Sequence, residues 1–304
     1  MNTLAWLMRR EIWESRFVYI VPLVVAALIV ITVPLEAALT SGLDMFLVHL
    51  NDLSDVERGA AAMVFMPLIA IPFNIATVLV LFFYLQDALY SERKDRSILF
   101  WKSLPVSDTQ TVLSKFLVAM ALIPAVALAV TLITALVLSL EISVLALFKG
   151  ENPYQLLLKP IPFASGSLFI AYGFFVQSLW YAPLFAWLLL TSAFARRNPI
   201  LWALAPPLLI MLLEGTLFHS RHFAEFLGER LGGVFPLAFT SEDFPGVHEN
   251  YISRDSMVDW PTNMMEAANI TALLGSPGLW GGLVAAAAFL AGAVWLRRYR
   301  DESL

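Results

Sequence analysis

The chain has no cysteine among its 304 residues. Disulfides, thiolate metal sites and cysteine nucleophiles are therefore excluded from the outset. Charge is also scarce: 14% of residues are charged, whereas 59% are hydrophobic and the mean hydropathy is +0.75. A soluble domain carries about 25% charged and about 45–50% apolar residues, so the surplus of apolar residues points to a bilayer and not to a larger core. The net charge of −5 argues against nucleic acid as a partner. No internal repeat and no low-complexity tract is present. There is no G-x-x-x-x-G-K-[ST] run to cradle phosphates, no H-E-x-x-H, and no G-x-S-x-G elbow.

What is present is a set of long apolar segments. Six of them, 17–38, 62–86, 112–140, 167–192, 199–217 and 279–296, approach or exceed the roughly 20 helical residues that cross a hydrocarbon core. The first is too long for a signal peptide and lacks a small-residue cleavage site after it. With both termini on one side, thirteen of the 19 Lys and Arg residues fall on that side and six on the other. The positive-inside rule makes that side the cytoplasm. The expected fold is an all-α integral membrane protein with six transmembrane helices, both termini cytoplasmic, an interfacial helix at 1–16, and a helical outer cap. The whole chain, 1–304, reads as one transmembrane domain.

Patterns flanking the spans support that layout. Trp6, Trp13 and Phe17 project within about 40° of one another on a helix, beside Arg9 and Arg10, a combination suited to the headgroup layer. Between the first two spans, Leu43, Phe46, Leu47, Leu50 and Leu53 share one helical face. In the long outer segment 218–278, a helix is expected from the N-cap Ser220 to Gly232-Gly233, with Phe223, Phe226, Leu227 and Leu231 as its stripe. A second is expected over 261–274.

Polar residues within the spans are few. Asn74 lies near the middle of the second span, and Gln177 and Tyr181 lie in the fourth. Interhelical hydrogen bonds are the favoured reading for all three, and lining of a substrate path is the alternative. Glu36 and Glu214 sit near outer ends, suited to a vestibule or to a contact with the cap. Pro72, Pro124, Pro183 and Pro206-Pro207 are expected to bend their spans. His219, His222 and Glu225 fall on one side of a helix, but without a third histidine or a cysteine they make a poor metal site.

The densest charge lies in "SERKDRSILFWKSLPVSDTQTVLSK", residues 91–115, with an apolar knot at its centre. Ser107 and Gln110 form a capping box that opens the third helix, and Pro105 ends whatever precedes it. Between them and the second span there is room for one short helix holding Ile98, Leu99, Phe100, Trp101 and Leu104. That helix either lies in the headgroup layer or docks to a protein partner, and its own residues leave both readings open.

The loop resembles that of ABC-2 type permeases, the membrane subunits of one class of ATP-binding-cassette exporters. The resemblance rests on Glu92-Arg93, Ser97-Ile98-Leu99, Ser103-Leu104-Pro105-Val106-Ser107 and Lys115. The family pattern is Glu-Arg, a Gly-Thr/Ser-Leu step, a Leu-x-x-x-Pro turn, and Gly-Lys opening the next span. Arg96 stands where the family often has glycine, and Ser114 replaces the glycine before Lys115. The resemblance implies that the short helix is a coupling helix held by a separate cytoplasmic ATPase. Phe100, Trp101, Leu104 and Pro105 would then be packing positions, and Glu92, Asp95, Arg96 and Lys102 rim charges. It implies a permease subunit in the inner (plasma) membrane, paired with a second permease copy. ATP and magnesium would bind the partner, leaving no cofactor, no metal and no catalytic residue in this chain. Two rivals stand beside it: a non-transporting scaffold driven by such an ATPase, and a membrane-embedded enzyme, for which no convergent catalytic groups are found.

Overall fold

The computed structural model describes residues 3–40, 42–98, 106–154, 159, 163–239 and 268–299. All described elements are helical apart from one antiparallel bridge between Phe239 and Ala268. Among the described residues six helices are long and apolar enough to cross a membrane: Phe17–Glu36, Val64–Lys94, Asp108–Phe148, Phe163–Trp180, Pro199–Phe218 and Pro277–Tyr299. The protein is an all-helical integral membrane protein. The first helix, α1 (Thr3–Glu14), and the last, α14 (Pro277–Tyr299), both pack on α6 (Asp108–Leu117), so the two described chain ends share one end of the bundle. That end is called the terminal end below.

The spans are longer than the apolar runs suggest. The first span is α2 (Phe17–Leu39). The second, α4 (Asp55–Ala88), starts on a capping box in which Ser54 Oγ accepts from the Glu57 amide and the Glu57 carboxylate accepts from the Ser54 amide. The third runs from α6 through a π-helical turn, Val118–Leu122, into α7 (Ile123–Phe148). Pro124 follows that turn, and its missing amide donor accounts for the irregularity. Because α7 continues to Phe148, Glu141 lies within the span and not beyond it.

The fourth span is broken. It comprises α8 (Phe163–Trp180) and α9 (Ala182–Phe194), meeting at Tyr181. Pro183 in the first turn of α9 explains the break. Backbone bonds from Tyr181 to the Gln177 carbonyl (2.9 Å) and from Phe185 to the Tyr181 carbonyl (3.0 Å) keep the two pieces in series. The fifth span is α10 (Pro199–Leu213), extended by a π-helical turn to Phe218, with Pro206 and Pro207 inside it.

In hydrocarbon, polar groups must be satisfied within the protein, and this sequence meets that demand locally. Thr77, Thr131, Thr134, Ser139, Ser143 and Ser178 each donate to the carbonyl four residues back. Helices attract one another mainly through close packing. The most extensive pairing joins α9 to α14, where Ala182, Ala186 and Ala286 are buried together. A Cβ on Gly292 would come within 3.2 Å of Leu190, so the small residues set the helix separation.

At the far end, α3 (Gly42–Asp52) buries Leu47 and Leu50 against Ala146 of the third span. The segment after the fifth span contains α11 (His222–Gly232), which begins one residue later than an N-cap at Ser220 would place it and ends where expected. Ser220 is not its N-cap: its hydroxyl donates to Glu214 at 2.9 Å, and the Glu214 carboxylate caps the helix by accepting from the His222 and Phe223 amides at 2.8 and 2.9 Å. A carboxylate holds this cap better than a hydroxyl because it adds negative charge at a helix N-terminus. The helix reaches the break in the fourth span. Trp180 Nε1 donates to the Arg230 carbonyl at 2.8 Å, Tyr181 Oη donates to the Leu231 carbonyl at 2.6 Å, and the Arg230 guanidinium stacks over the Trp180 ring. The chain then rises as α12 (Val234–Ala238) beside α8. The later helix, α13 (Ile270–Gly275), is capped by the Asn269 side chain; the rest of the expected 261–274 helix lies outside the described residues.

Asn74 and Gln177 form a reciprocal amide pair between the second and fourth spans, with bonds of 2.6 and 3.0 Å. Interhelical bonds of this kind contribute roughly 0.6 kcal/mol each and up to about 2. Replacing either residue with leucine is expected to lower unfolding stability in detergent by about 1–2 kcal/mol. The double replacement should cost less than the sum, which a double-mutant cycle measures.

Candidate functional site

The loop of residues 91–105 grows out of a short helix, α5 (Tyr90–Lys94), that follows the second span after a break at Leu89. Ser192 of the fourth span fills that break. Its Oγ accepts from the amides of Leu89 and Tyr90 at 3.1 and 3.0 Å and donates to the Gln86 carbonyl at 2.8 Å. Arg93 then donates to the carbonyls of Ser192 and Ala195, at 2.5 and 2.8 Å. These are the free carbonyls at the C-terminus of α9, where a cation is favoured. The loop base is thus bolted to the fourth span.

Glu92 faces the other way. It is buried, and so are its partners. Lys115 Nζ lies 3.1 Å from Glu92 Oε1, and Arg297 Nη1 donates to Glu92 Oε2 at 2.5 Å. Lys115 also donates to both oxygens of Glu11, at 2.9 and 3.0 Å. Tyr84 Oη donates to Glu11 at 3.0 Å, Arg10 pairs with Glu11 at 2.7 Å, and Arg297 Nε donates to Asp108 at 3.0 Å. Glu11, Glu92 and Asp108 therefore meet Arg10, Lys115 and Arg297, and the half-exposed Glu14 adds a pairing to Arg10 at 3.4 Å. They come from α1, α5, the start of the third span and the end of the sixth, with Tyr84 from the second.

This placement corrects the reading of Glu92 as an exposed rim charge. A carboxylate beside Lys115 and Arg297 is held by them, and turning it outward would strand two buried cations. Asp95 and Arg96 are exposed, as rim charges would be. Arg96 has φ +56°, in the left-handed region where glycine is favoured, so the bend survives the departure from the family pattern. Ile98 is buried. Phe100, Trp101, Lys102, Leu104 and Pro105 lie outside the described residues. Ser107 and Gln110 form the expected capping box, with bonds of 3.1 and 3.2 Å. Ser114, in place of the family glycine, is buried and donates to the Thr111 carbonyl.

Glu11, Tyr84 and Arg297 were not legible as site residues. The available signal was Lys115, an ionisable group two turns inside a helix leading into an apolar run, which requires a partner. The face of α1 that carries Trp6 and Trp13 is exposed, with Arg9 stacked on both rings at 5.6 and 5.0 Å; Leu7 and Glu11 occupy its buried side. The other predicted residues are scattered. Asn74 and Gln177 pair with each other, Tyr181 bonds α11, Glu214 caps α11, and Glu36 is exposed. Among the described residues no group of three or more His, Asp or Glu could hold a metal ion.

The cluster has no nucleophile beside a base and no open cleft at its centre. What it does physically is join four helix ends so that a displacement of α5 is felt by all of them. Residues 59–176 match the family model described as ABC-2 family transporter protein, so this part of the chain is similar to the membrane subunits of such transporters. The match covers less than half of the chain; it takes in most of the second span, Glu92, Arg93, Lys115, the third span and most of α8. No curated protein and no solved structure matches the chain.

Two outcomes test this construction. Lys115→Met leaves Glu11 and Glu92 under-compensated and should cost about 3–5 kcal/mol, read as a lower melting temperature in detergent. Glu11→Gln/Lys115→Met removes the charge and its countercharge together, and is expected to recover at least half of that loss. Separately, Arg96→Gly should raise stability by up to about 1 kcal/mol by relieving the left-handed backbone, whereas Arg96→Val should lower it.

Proposed function

We propose that this protein is the permease subunit of an ATP-driven exporter, in which residues 91–105 transmit the movements of a separate cytoplasmic ATPase to the spans. The observation that carries the reading is the division of labour at the loop base. Arg93 grips the end of the fourth span, and Glu92 grips α1 and the third and sixth spans through Lys115 and Arg297. A push on the loop reaches four elements without a compliant linker between. Phe100, Trp101, Leu104 and Pro105 are the docking surface, with Asp95, Arg96 and Lys102 at its rim.

In this reading the chain is one ABC-2 type transmembrane domain over 1–304, with the terminal end cytoplasmic, as the excess of Lys and Arg at that end supports. Residues 218–278 form the outer cap. The membrane is the inner (plasma) membrane, and two permease copies work with two ATPases that bind ATP and magnesium. Asn74 and Gln177 hold spans together instead of lining a path.

The test is a Trp101→Ala/Leu104→Ala variant, in membranes that contain the native ATPase. Buried anchors of this kind contribute about 2 kcal/mol or more each, so ATPase copurification should fall by about 30-fold or more. ATP-dependent transport in proteoliposomes should be lost with it. Unchanged copurification together with unchanged coupled transport overturns the proposal, and stimulated ATPase activity with no substrate movement in the parent protein replaces it with the scaffold reading.

A further inference from the structure

A groove of about 1130 Å³ runs between the first, second and fifth spans and opens to the side of the bundle. Its walls are Phe17, Val21, Leu79, Phe83, Leu204 and Leu208. At the terminal end the lining turns polar, with Gln86, Asp87, Tyr90 and Asn198. Gln86 is 3% exposed; its amide nitrogen reaches Thr191 at 3.4 Å, and its Oε1 is shielded from solvent with no donor among the described residues. Three exposed arginines adjoin lining residues along the chain: Arg16 directly precedes Phe17, and Arg196 and Arg197 directly precede Asn198. None of the three has an ion pair among the described residues, and Asp87 is the one acid in the groove's lining.

An apolar groove at hydrocarbon depth is filled by acyl chains or by protein, since water has nothing there to bond. A second copy related by a two-fold axis would bring the same face, whose lining holds Asp87 as its one acid, and so would supply little negative charge to meet three arginines. An anionic headgroup instead neutralises them, and a juxtamembrane Arg or Lys near anionic lipid is attracted by about 1 kcal/mol. We propose that this groove binds a phospholipid with an anionic headgroup, drawn from the leaflet at the terminal end. Its acyl chain lies along Leu79, Phe83 and Leu204, and its phosphate sits among Arg16, Arg196 and Arg197. Gln86 Oε1 accepts from a hydroxyl of the headgroup or glycerol backbone. The site does not depend on coupling to an ATPase, and it holds whether or not the lipid is moved.

The experiment is native mass spectrometry of the full chain released from nanodiscs that contain equal phosphatidylglycerol and phosphatidylcholine. The expected result is one retained phosphatidylglycerol per chain, favoured over phosphatidylcholine by at least about tenfold. Arg196→Gln/Arg197→Gln should abolish that preference while leaving the melting temperature unchanged. Ala205 is exposed on the fifth span and lines the groove, so Ala205→Trp should fill it and displace the lipid without entering the core. If that variant misfolds, Leu208→Trp serves the same purpose. Equal retention of both lipids, or retention unaffected by the filling variants, overturns the assignment. The absence of natural cysteine allows one more check: a Leu204→Cys chain that oxidises quantitatively to a disulfide dimer in the membrane places a second copy in the groove and overturns it as well.

Discussion

Glu92 is a carboxylate withdrawn from water at the point where a loop leaves the bundle, and the terminal end of the protein is arranged around that fact. A buried ion without a partner costs several kcal/mol, and a well-paired one roughly breaks even. Lys115 and Arg297 meet Glu92, but Lys115 is itself buried and has spare donors. Glu11 takes those up, and Tyr84 and Arg10 complete Glu11. Each partner introduced to satisfy one charge creates a further demand, met at one side by Asp108 on Arg297 and at the other by Glu14 on Arg10. The cluster gains little net stability from this balance. It does tie α1, α5 and the ends of the third and sixth spans to one another, since each cation holds carboxylates from more than one of them.

Deeper in the bundle the constraint changes from charge to backbone. Pro207 leaves the Ala203 carbonyl without its helical amide partner, and Trp187 Nε1 from the fourth span donates to it at 3.1 Å, while small residues let neighbouring helices close up. Tyr181 shows the first solution again. Pro183 interrupts the fourth span beside it, and the phenol and the neighbouring Trp180 bond the carbonyls of Leu231 and Arg230 on a helix that returns from the far end. The break therefore serves as a docking position for α11.

Most of the architecture could be read from the chain. Apolar length gave six spans, because nothing but hydrocarbon explains runs such as 112–140. The capping box at Ser107 gave the start of the third helix to the residue, since both of its partners are local. Arg96 stands where the resembled family often has glycine, a departure expected to alter the bend, and its φ of +56° is one that glycine adopts readily. What could not be read depends on contacts between distant segments. Glu11 looked like one more polar residue on an interfacial helix, and Arg297 like one of several arginines flanking the last span. Only the fold brings them to Glu92, 81 and 205 residues away in sequence. Ser220 had the chemistry of an N-cap, but Glu214, from the end of the preceding span, outcompetes it.

The spans are not equally committed to the bundle. In the second, buried residues recur along its length, whereas in the fifth only Ala203 is buried among the described residues. The fifth span is attached chiefly by Trp187 Nε1 to the Ala203 carbonyl, by the Phe194–Trp202 ring contact, and by Glu214 capping the next helix. The ion cluster includes no residue of this span. A displacement delivered through Glu92 and Arg93 would therefore move α1 and the third, fourth and sixth spans together, while the fifth follows only through a few contacts near the Arg196-Arg197 turn and at α11. Relative motion concentrates where contacts are fewest, which here is the gap between the fifth span and the first and second. That gap is the apolar groove.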